Sequence, residues 1–428
     1  MTESAADIKN KLEDLLKKRG VMTGAEWQQQ RKNKRVDSDS GSRKGVSREL
    51  PGQLEGDEDF GFQLIRQDFP LDTIHGVLNL GAVLESSSEH IALSAKDDEL
   101  VNFDPRKTCF MDTETTGLSG GTGTIAFLVG VGYFHEDVFR LDQCFMRDYD
   151  DEEPMLQFLA ERFSQCDTVV GYNSKSFDLP LLRTRFIQNR IPFHGEAMMH
   201  YDLVHASRRI WKKRLKDCSL GNIEREILNI RRKGDVPSHL IPQMWFDFLN
   251  TGNARPLHGV FYHHEVDILS LVTLTAWLAQ CLAAPEGAGF DHDEDQLSLV
   301  RVFYNQKKYE EVINNGNAFL ERTGASPLRR ECFEMMGLGA KRLQRFEEMQ
   351  RFLEHLLEEF PNDLQAHHEL AKHHEHRTHN LYKARDLCAN GCERAMPGGV
   401  EETAFIHRFN RIEKKIAKAG GSVSEDDC

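Results

Sequence analysis

Residues 110–118 read FMDTETTGL, and this stretch places two acids, Asp112 and Glu114, two residues apart at the end of an apolar run. Side chains alternate faces along a β-strand, so both carboxylates are expected on one face. Two unpaired carboxylates repel each other, and a divalent cation would relieve that repulsion. Carboxylate oxygens favour Mg²⁺ or Mn²⁺ over Zn²⁺. The simpler alternative is that the acids cap the next turn together with the neighbouring threonines.

A second apolar run leads to another acid, in VVGYNSKSFDLPLLRTR. The predicted strand Asp167–Tyr172 enters the loop 173–177, and Asp178 then opens a helix, where a carboxylate is a common N-cap. Ligands gather at the ends of strands in α/β sheets. We therefore expect Asn173, Lys175 and Asp178 at one edge of the sheet, with Asn173 and Lys175 as substrate contacts. Helix capping is the alternative role of Asp178.

A third acid lies near the start of a long apolar helix, HGVFYHHEVDILSLVTLTAWLAQ. Residues four apart on a helix share a face, so His263 and Asp267 are expected to be neighbours. A carboxylate among aliphatic side chains needs a partner, because burying an unpaired charge is costly. A cation shared with Asp112 and Glu114 would supply that partner.

In this order, FMDTETTGL, GYNSKSFDLPLL and HHEVDILSL resemble the three exonuclease motifs of the DEDD superfamily, whose fold is ribonuclease H-like. The stretch 104–283 is similar as a whole to the bacterial YprB-like predicted exonucleases, which join such a domain to tetratricopeptide (TPR) repeats. The resemblance implies 3′–5′ hydrolysis of phosphodiester bonds at a single-stranded nucleic-acid end by a two-metal mechanism. It makes four acids the ligands of two ions, Mg²⁺ or Mn²⁺: Asp112, Glu114, Asp178 and Asp267.

The fifth position of the motif set departs from the two common patterns, which are a histidine five residues before the last Asp or a tyrosine four residues before it. Here Tyr262 stands at minus five and His263 at minus four. We expect His263 to assist catalysis, because it shares a helix face with Asp267 and an imidazole can accept a proton near neutral pH. Tyr262 and His264 remain alternatives.

The pattern of apolar runs predicts an α/β fold. Three strand-like runs, CFMDTET, TIAFLVGVGYF and VFRLDQCFM, precede strand–helix units, which indicates a mixed sheet with helices on its faces. With the resemblance, we expect a ribonuclease H-like sheet of five strands. Further on the pattern is entirely helical, and KKYEEVI, QRFEEMQ and NLYKARD begin near residues 307, 344 and 380. This period is typical of TPR repeats, with an irregular helical bundle as the alternative.

The expected organisation has six parts. They are a short helix and a disordered N-terminal region (1–59), a lead-in segment (60–103), a ribonuclease H-like exonuclease domain (104–283), an acidic linker (284–296), TPR-like repeats (297–418) and a flexible tail (419–428).

The net charge of −14 argues against a general nucleic-acid coat protein, so basic patches must be local. The run RRIWKKRLK (208–216) is one, and Arg231, Arg232 and Lys233 follow. Such a run could hold phosphates while an aromatic ring stacks on a base. The alternative is a solvated helix face with its tryptophan in the core. The predicted substrate contacts in this run are Arg208, Arg209, Trp211, Lys212 and Lys213.

Cellular context and function class can also be constrained. No window approaches the roughly 18 apolar residues of a membrane span, and nine cysteines show no CxxC pair. We therefore expect a cytoplasmic protein without a membrane span, and the resemblance implies a metal-dependent nuclease whose repeats bind a protein partner. The competing hypothesis is a scaffold that keeps the nuclease fold but binds nucleic acid or protein with little or no catalysis.

Overall fold

The computed structural model describes residues 50–117, 123–283 and 290–421. Most of the predicted N-terminal region, the start of the predicted linker and the end of the predicted tail lie outside these residues. The described chain forms two compact units. The first contains the residues up to His205 together with Ser219–Trp277, and the second contains Ala206–Cys218 together with the residues from Leu278 onward.

The first unit is built on a mixed β-sheet. Its strands are β1 (Gln53–Gly56), β2 (Gly61–Pro70), β3 (Ile74–His75), β4 (Leu78–Asn79), β5 (Thr108–Thr115), β6 (Ala126–His135), β7 (Val138–Phe145), β8 (Thr168–Gly171) and β9 (Met199–Asp202). Seven of them form one sheet in the order β1-β2-β7-β6-β5-β8-β9, and β3 pairs with β4 separately. The pairs from β1 through to β5 are antiparallel, whereas β5, β8 and β9 are parallel.

The predicted fold class is confirmed, but the sheet has seven strands and not five. The five expected strands are contiguous, from β7 to β9. Of the other two, β2 comes from the lead-in and pairs antiparallel with β7 from Gln63↔Phe145 to Pro70↔Val138. This pairing covers the backbone hydrogen-bonding edge that β7 would otherwise expose. Strand β1 falls inside the segment 1–59, so ordered structure begins earlier than the expected boundary.

Helices accompany the sheet at several points of the chain. They are α1 (Ser88–Ala95), α2 (Glu152–Phe163), α3 (Asp178–Gln188), α4 (Leu203–Trp211), α5 (Leu220–Glu226), α6 (Ile241–Thr251) and α7 (Leu257–Ala283). Aromatic packing fixes α6 on the sheet, because Trp245 stacks on Phe127 with ring centroids 4.9 Å apart and donates its indole N–H to the Met146 carbonyl at 2.9 Å. Full burial of such rings stabilises the fold by about 2–3 kcal/mol each.

Helix α7 corrects one expectation about membranes. Among the described residues it is the helix long and apolar enough to cross a bilayer. Its most apolar 18-residue window is 83% buried inside the fold, as in a central core helix. The length and composition of α7 therefore reflect its place in the core, where it carries His263, His264 and Asp267.

The second unit contains an all-helical region, as predicted. It has α8 (Asp293–Asn305), α9 (Tyr309–Arg322), α10 (Leu328–Arg342), α11 (Phe346–Glu359), α12 (Leu364–His376), α13 (Leu381–Arg394) and α14 (Val400–Gly421). The three recurring sequence motifs open α9, α11 and α13. Two residues before each of these helices a non-glycine residue takes left-handed backbone, namely Lys307 (φ 59°), Gln344 (φ 63°) and His379 (φ 55°). The same tight turn therefore recurs in three successive helix pairs.

Candidate metal centre

Strand β5 presents the first two acids. Asp112 pairs with Gly130 of β6 and Glu114 with Leu128, and the register shifts directly after Glu114. The side chains of Asp112 and Glu114 are 20% and 14% exposed, whereas Met111, Thr113 and Thr115 between and beside them are buried. Both acids thus face one partly open side of the strand, as the alternation predicted. Irregular pairing of this kind is common beside active sites, where it re-aims a side chain.

Helix α7 brings a histidine and a third acid to the same place. Glu114, His263 and Asp267 each offer a ligand atom within 4.8 Å of the other two. His263 Nε2 lies 3.3 Å from Asp267 Oδ2 and 3.9 Å from Glu114 Oε1. Side chains from two motifs that are distant in the sequence therefore meet where α7 faces β5.

The orientation of His263 comes from a residue that the sequence did not single out. His263 Nδ1 lies 2.8 Å from Asp235 Oδ1 and, at the longer distance of 3.2 Å, from Arg232 Nη1. The shorter contact favours a proton on Nδ1 that is donated to Asp235. Nε2, which also lies 3.4 Å from Ser238 Oγ, then faces Asp267 and Glu114 without a proton.

His264, one of the alternatives for the fifth position, has a different environment. Its Nε2 lies 3.1 Å from the backbone carbonyl of Asp112, and its Nδ1 lies 3.1 Å from Gln143 Nε2. Burial lowers the pKa of His264 to about 4, so the ring is neutral at physiological pH. The imidazole therefore joins α7 to β5. Tyr262, the other alternative, is partly buried.

Asp178 is the first residue of α3, and Phe177 occupies the cap position. Its carboxylate accepts a hydrogen bond from the Thr113 hydroxyl, so the middle residue of the D-T-E triplet contacts the acid of the second motif. Burial raises the pKa of Asp178 to about 6, although the bond from Thr113 works in the opposite direction. Capping thus does not account for this carboxylate.

Whether the cluster suits a cation depends on the charges of its side chains. Burial, followed by the charges of Asp267, Asp178 and Glu114, raises the pKa of Asp112 well above its usual range. Burial, followed by the charges of Asp267 and Asp178, raises the pKa of Glu114 well above its usual range too. Carboxylate oxygens that repel one another in a partly open site are suitable ligands for Mg²⁺ or Mn²⁺. The residues present therefore fit divalent cations.

A buried acid organises the loop that follows β8. Asp202, at the end of β9, accepts hydrogen bonds from the backbone N–H of Asn173 at 2.8 Å and of Lys175 at 3.1 Å. Asn173 has left-handed backbone (φ 62°), and both side chains of these two loop residues are exposed. The predicted contacts Asn173 and Lys175 thus lie in the loop that leads to Asp178. An acid between a strand and a helix, in HYDLVHA, was the signal that could have revealed Asp202.

The basic run 208–216 belongs to the second unit and is not a continuous helix, because α4 ends at Trp211. Trp211 is 1% exposed, so its ring cannot stack on a base and the prediction of that contact was wrong. It packs in the core because it continues the apolar face of α4. Arg208, Lys212 and Lys213 are exposed, with Lys213 paired to Glu331 at 2.9 Å, and Arg209 is half-buried.

Gly130 allows α7 to approach the sheet at the level of these acids. A Cβ atom there would lie 2.2 Å from Ile268 Cδ1 and 2.3 Å from His264 Cε1. We expect Gly130→Ala to lower the free energy of unfolding by about 1–3 kcal/mol, the usual cost of overpacking a core. Thermal unfolding measures the effect. The control is Gly221→Ala in α5, where no atom lies within 4 Å of the added methyl group. If both variants unfold at the temperature of the parent, close packing of α7 on β6 is contradicted.

Comparison with known proteins agrees with this architecture. A family profile described as RNase_H_2, of the RNase_H superfamily, matches residues 109–279, which include every acid of the centre. The chain is also similar to a Bacillus subtilis (strain 168) protein described as uncharacterized protein YprB. The two are 30% identical over 368 residues, which cover 83% of this chain and 86% of that protein. The chain therefore belongs to the family of Bacillus subtilis YprB and carries a ribonuclease H-like domain, which points to nuclease activity and a nucleic-acid substrate.

Proposed function

We propose that the protein is a metal-dependent exonuclease of the DEDD type that removes nucleotides from the 3′ end of a single-stranded nucleic acid. The observation that carries the proposal is the convergence of Asp112 and Glu114 of β5, Asp178 of α3, and His263 and Asp267 of α7. Acids from distant segments that raise one another's pKa destabilise the fold, so a catalytic or binding role is the best reason to retain them.

In this proposal the residues divide the work. Asp112, Glu114, Asp178 and Asp267 hold two divalent cations, Mg²⁺ or Mn²⁺, which when bound activate the attacking water and neutralise the leaving oxygen. His263, oriented by Asp235 at 2.8 Å, presents Nε2 toward the same space and takes the proton from the attacking water. Asp202 holds the loop that leads to Asp178.

The proposal is tested with oligonucleotides of DNA and of RNA labelled at either end, incubated with the purified protein and Mg²⁺ or Mn²⁺. A 3′–5′ exonuclease releases a 3′ label at once as a mononucleotide and produces a ladder from 5′-labelled strands. Immediate release of the 5′ label would contradict the polarity, and discrete internal fragments would indicate an endonuclease. No cleavage of any substrate would favour the scaffold hypothesis.

The loop that carries Arg232 offers phosphate contacts in the same unit as the acids. Arg232 points inward to Asp267, while its neighbours Arg231 and Lys233 are exposed. We expect Arg231→Ser combined with Lys233→Ser to weaken binding of single-stranded oligonucleotides. We also expect the slope of log affinity against log salt concentration to become shallower by about 1.4, because each of the two lost phosphate contacts contributes about 0.7. Fluorescence anisotropy measures both, in an Asp112→Asn background that preserves the oligonucleotide.

The matched control carries Arg106→Ser and Lys107→Ser. It removes the same charge at the opposite, amino-terminal end of β5, just before Thr108. An equal change in the control would show that net charge alone governs binding and would exclude a specific contact at the loop. A third variant, Arg208→Ser with Lys212→Ser, tests the contacts predicted for the basic run in the same assay.

For the helical repeats we propose a TPR-like fold that binds a protein partner. Three successive helix pairs with the same left-handed turn support this assignment. Apolar side chains on the surface of the unit, Tyr382 (62% exposed), Met396 (77%) and Val400 (83%), are the kind that a partner covers. We also propose a cytoplasmic location, since the eight described cysteines are free thiols.

A further inference from the structure

Arg232 is the basic side chain seated against the acids of the metal centre. It lies in the loop between α5 and α6, and its side chain is only 11% exposed. It donates to Glu224 through Nε at 2.7 Å and Nη2 at 2.6 Å, and Nη2 also donates to Asp267 Oδ1. A planar guanidinium held by both oxygens of one carboxylate has little freedom to turn. Arg232 therefore offers Asp267 a fixed donor.

Glu224 is itself fixed by the helix that carries Asp267. It is 1% exposed, and its Oε1 accepts a hydrogen bond from Ser270 Oγ at 2.6 Å. Ser270 stands three residues after Asp267 on α7, and His75 Nε2 lies 2.9 Å from the same hydroxyl. The loop arginine is thereby held in register with α7, so that Asp267 and its donor move together.

The two oxygens of Asp267 have separate contacts. Oδ1 accepts from Arg232, whereas Oδ2 lies 3.3 Å from His263 Nε2. Carboxylates that bind a metal are held by hydrogen bonds from surrounding residues, and those residues determine ligand orientation. The arrangement leaves Oδ2 directed at the cluster.

We propose that Arg232, held by Glu224, is a positioning residue that orients Asp267 for divalent-cation binding. The inference rests on the proposed function of the centre and adds to it a pair of residues, Glu224 and Arg232, beyond the four acids and His263. The positive charge of Arg232 would repel a bound cation. Glu224 already balances that charge through two hydrogen bonds, so we expect the orienting effect on Asp267 to outweigh the repulsion.

The test measures Mn²⁺ affinity of the purified full chain by electron paramagnetic resonance of free Mn²⁺, without substrate. We expect Arg232→Gln to weaken Mn²⁺ binding by about 10–100-fold, the usual cost of losing a residue that supports a metal ligand. Arg232→Lys, which keeps the charge but loses the two-point hold on Glu224, is expected to fall between parent and Arg232→Gln. Glu224→Gln is expected to weaken Mn²⁺ binding as well, because it keeps Arg232 in the chain but removes the carboxylate that fixes its guanidinium.

Arg147→Gln is the matched control. Arg147 also donates two hydrogen bonds to one buried carboxylate, that of Asp151, at 2.8 and 3.0 Å, and its side chain is 9% exposed. It is expected to lower thermal stability while leaving Mn²⁺ affinity unchanged. Circular dichroism shows whether Arg232→Gln folds. If it does not fold, the Mn²⁺ affinity of Glu224→Gln decides the inference.

The outcomes separate the inference from the proposed function. If the parent protein binds no Mn²⁺, the proposed function fails and the inference fails with it. If the parent binds Mn²⁺ and Arg232→Gln or Glu224→Gln binds it equally well or more tightly, only the inference is overturned. Unchanged Mn²⁺ affinity would show a purely structural arginine, and tighter binding would show a competing counter-charge.

Discussion

Asp112→Asn is expected to reduce nuclease activity by at least about a thousandfold while making the metal-free protein more stable. Activity falls because the substitution removes one of the four carboxylates proposed to hold the cations. Stability rises because burial and the charges of Asp267, Asp178 and Glu114 raise the pKa of Asp112, so the folded state holds this acid at a cost. A neutral amide removes that cost.

Two measurements check this expectation, namely initial rates on a labelled single strand and melting temperature in the presence of a chelator. Mn²⁺ should raise the melting temperature of the parent more than that of the variant. Asp68→Asn is the control, since Asp68 lies on β2 of the same sheet and pairs with Arg140 at 2.7 Å on the surface. An Asp112→Asn protein that retains more than about a tenth of the parent rate would exclude Asp112 from the catalytic centre.

The second large effect is expected in the helical unit, at Glu375. This side chain of α12 is fully buried and is surrounded by Arg408, Arg411 and Lys415 of α14 at 2.6–2.8 Å. Burial alone would raise the pKa of Glu375, but hydrogen bonds from Arg411 and Lys415 lower it to about 2 from 4.5. That difference corresponds to about 3 kcal/mol of stability at neutral pH, which Glu375→Gln should remove.

The pH dependence of this effect has a definite sign. A carboxylate with a lowered pKa in the folded state stabilises fully above its unfolded pKa, near 4.5, and loses that contribution as the pH falls toward 2. The difference in free energy of unfolding between the parent and Glu375→Gln should therefore disappear as the pH falls over this range. Urea unfolding, or hydrogen exchange of α12 and α14, measures this gap. Glu413→Gln is the control, because Glu413 is 46% exposed and lies 3.8 Å from Arg385. A gap that stays constant with pH would contradict the ion cluster as its cause.

The sequence predicted those parts of the site that local periodicity controls. Alternation along a strand placed Asp112 and Glu114 on one face, and the four-residue spacing on a helix placed His263 beside Asp267. The recurrence of motifs near 307, 344 and 380 predicted the succession of helix pairs, because each motif opens a helix after the same turn. In each case one short period fixes which residues share a face.

Local periodicity does not predict which residues of distant segments contact each other. Arg232 looks like a solvent-exposed member of RRK, and only the fold turns it inward to Glu224 and Asp267. Asp235 is likewise a single acid in a polar segment, with no period to mark it. Strand β2 was missed because its partner, β7, is 68 to 82 residues away in the chain, from the pair Pro70↔Val138 to the pair Gln63↔Phe145. Trp211 was misassigned because an aromatic ring in a basic run suits both a binding face and a core face.

The most direct test of the central claim is the rate of phosphodiester hydrolysis by one preparation of the parent protein before chelation, after removal of divalent cations, and after Mg²⁺ or Mn²⁺ is restored. An Asp112→Asn preparation purified in the same way monitors contaminating nucleases. The account predicts that hydrolysis stops on chelation, returns with Mg²⁺ or Mn²⁺, and stays at background in the variant throughout. Hydrolysis by the parent that continues unchanged without divalent cations, or equal hydrolysis by Asp112→Asn, would contradict it.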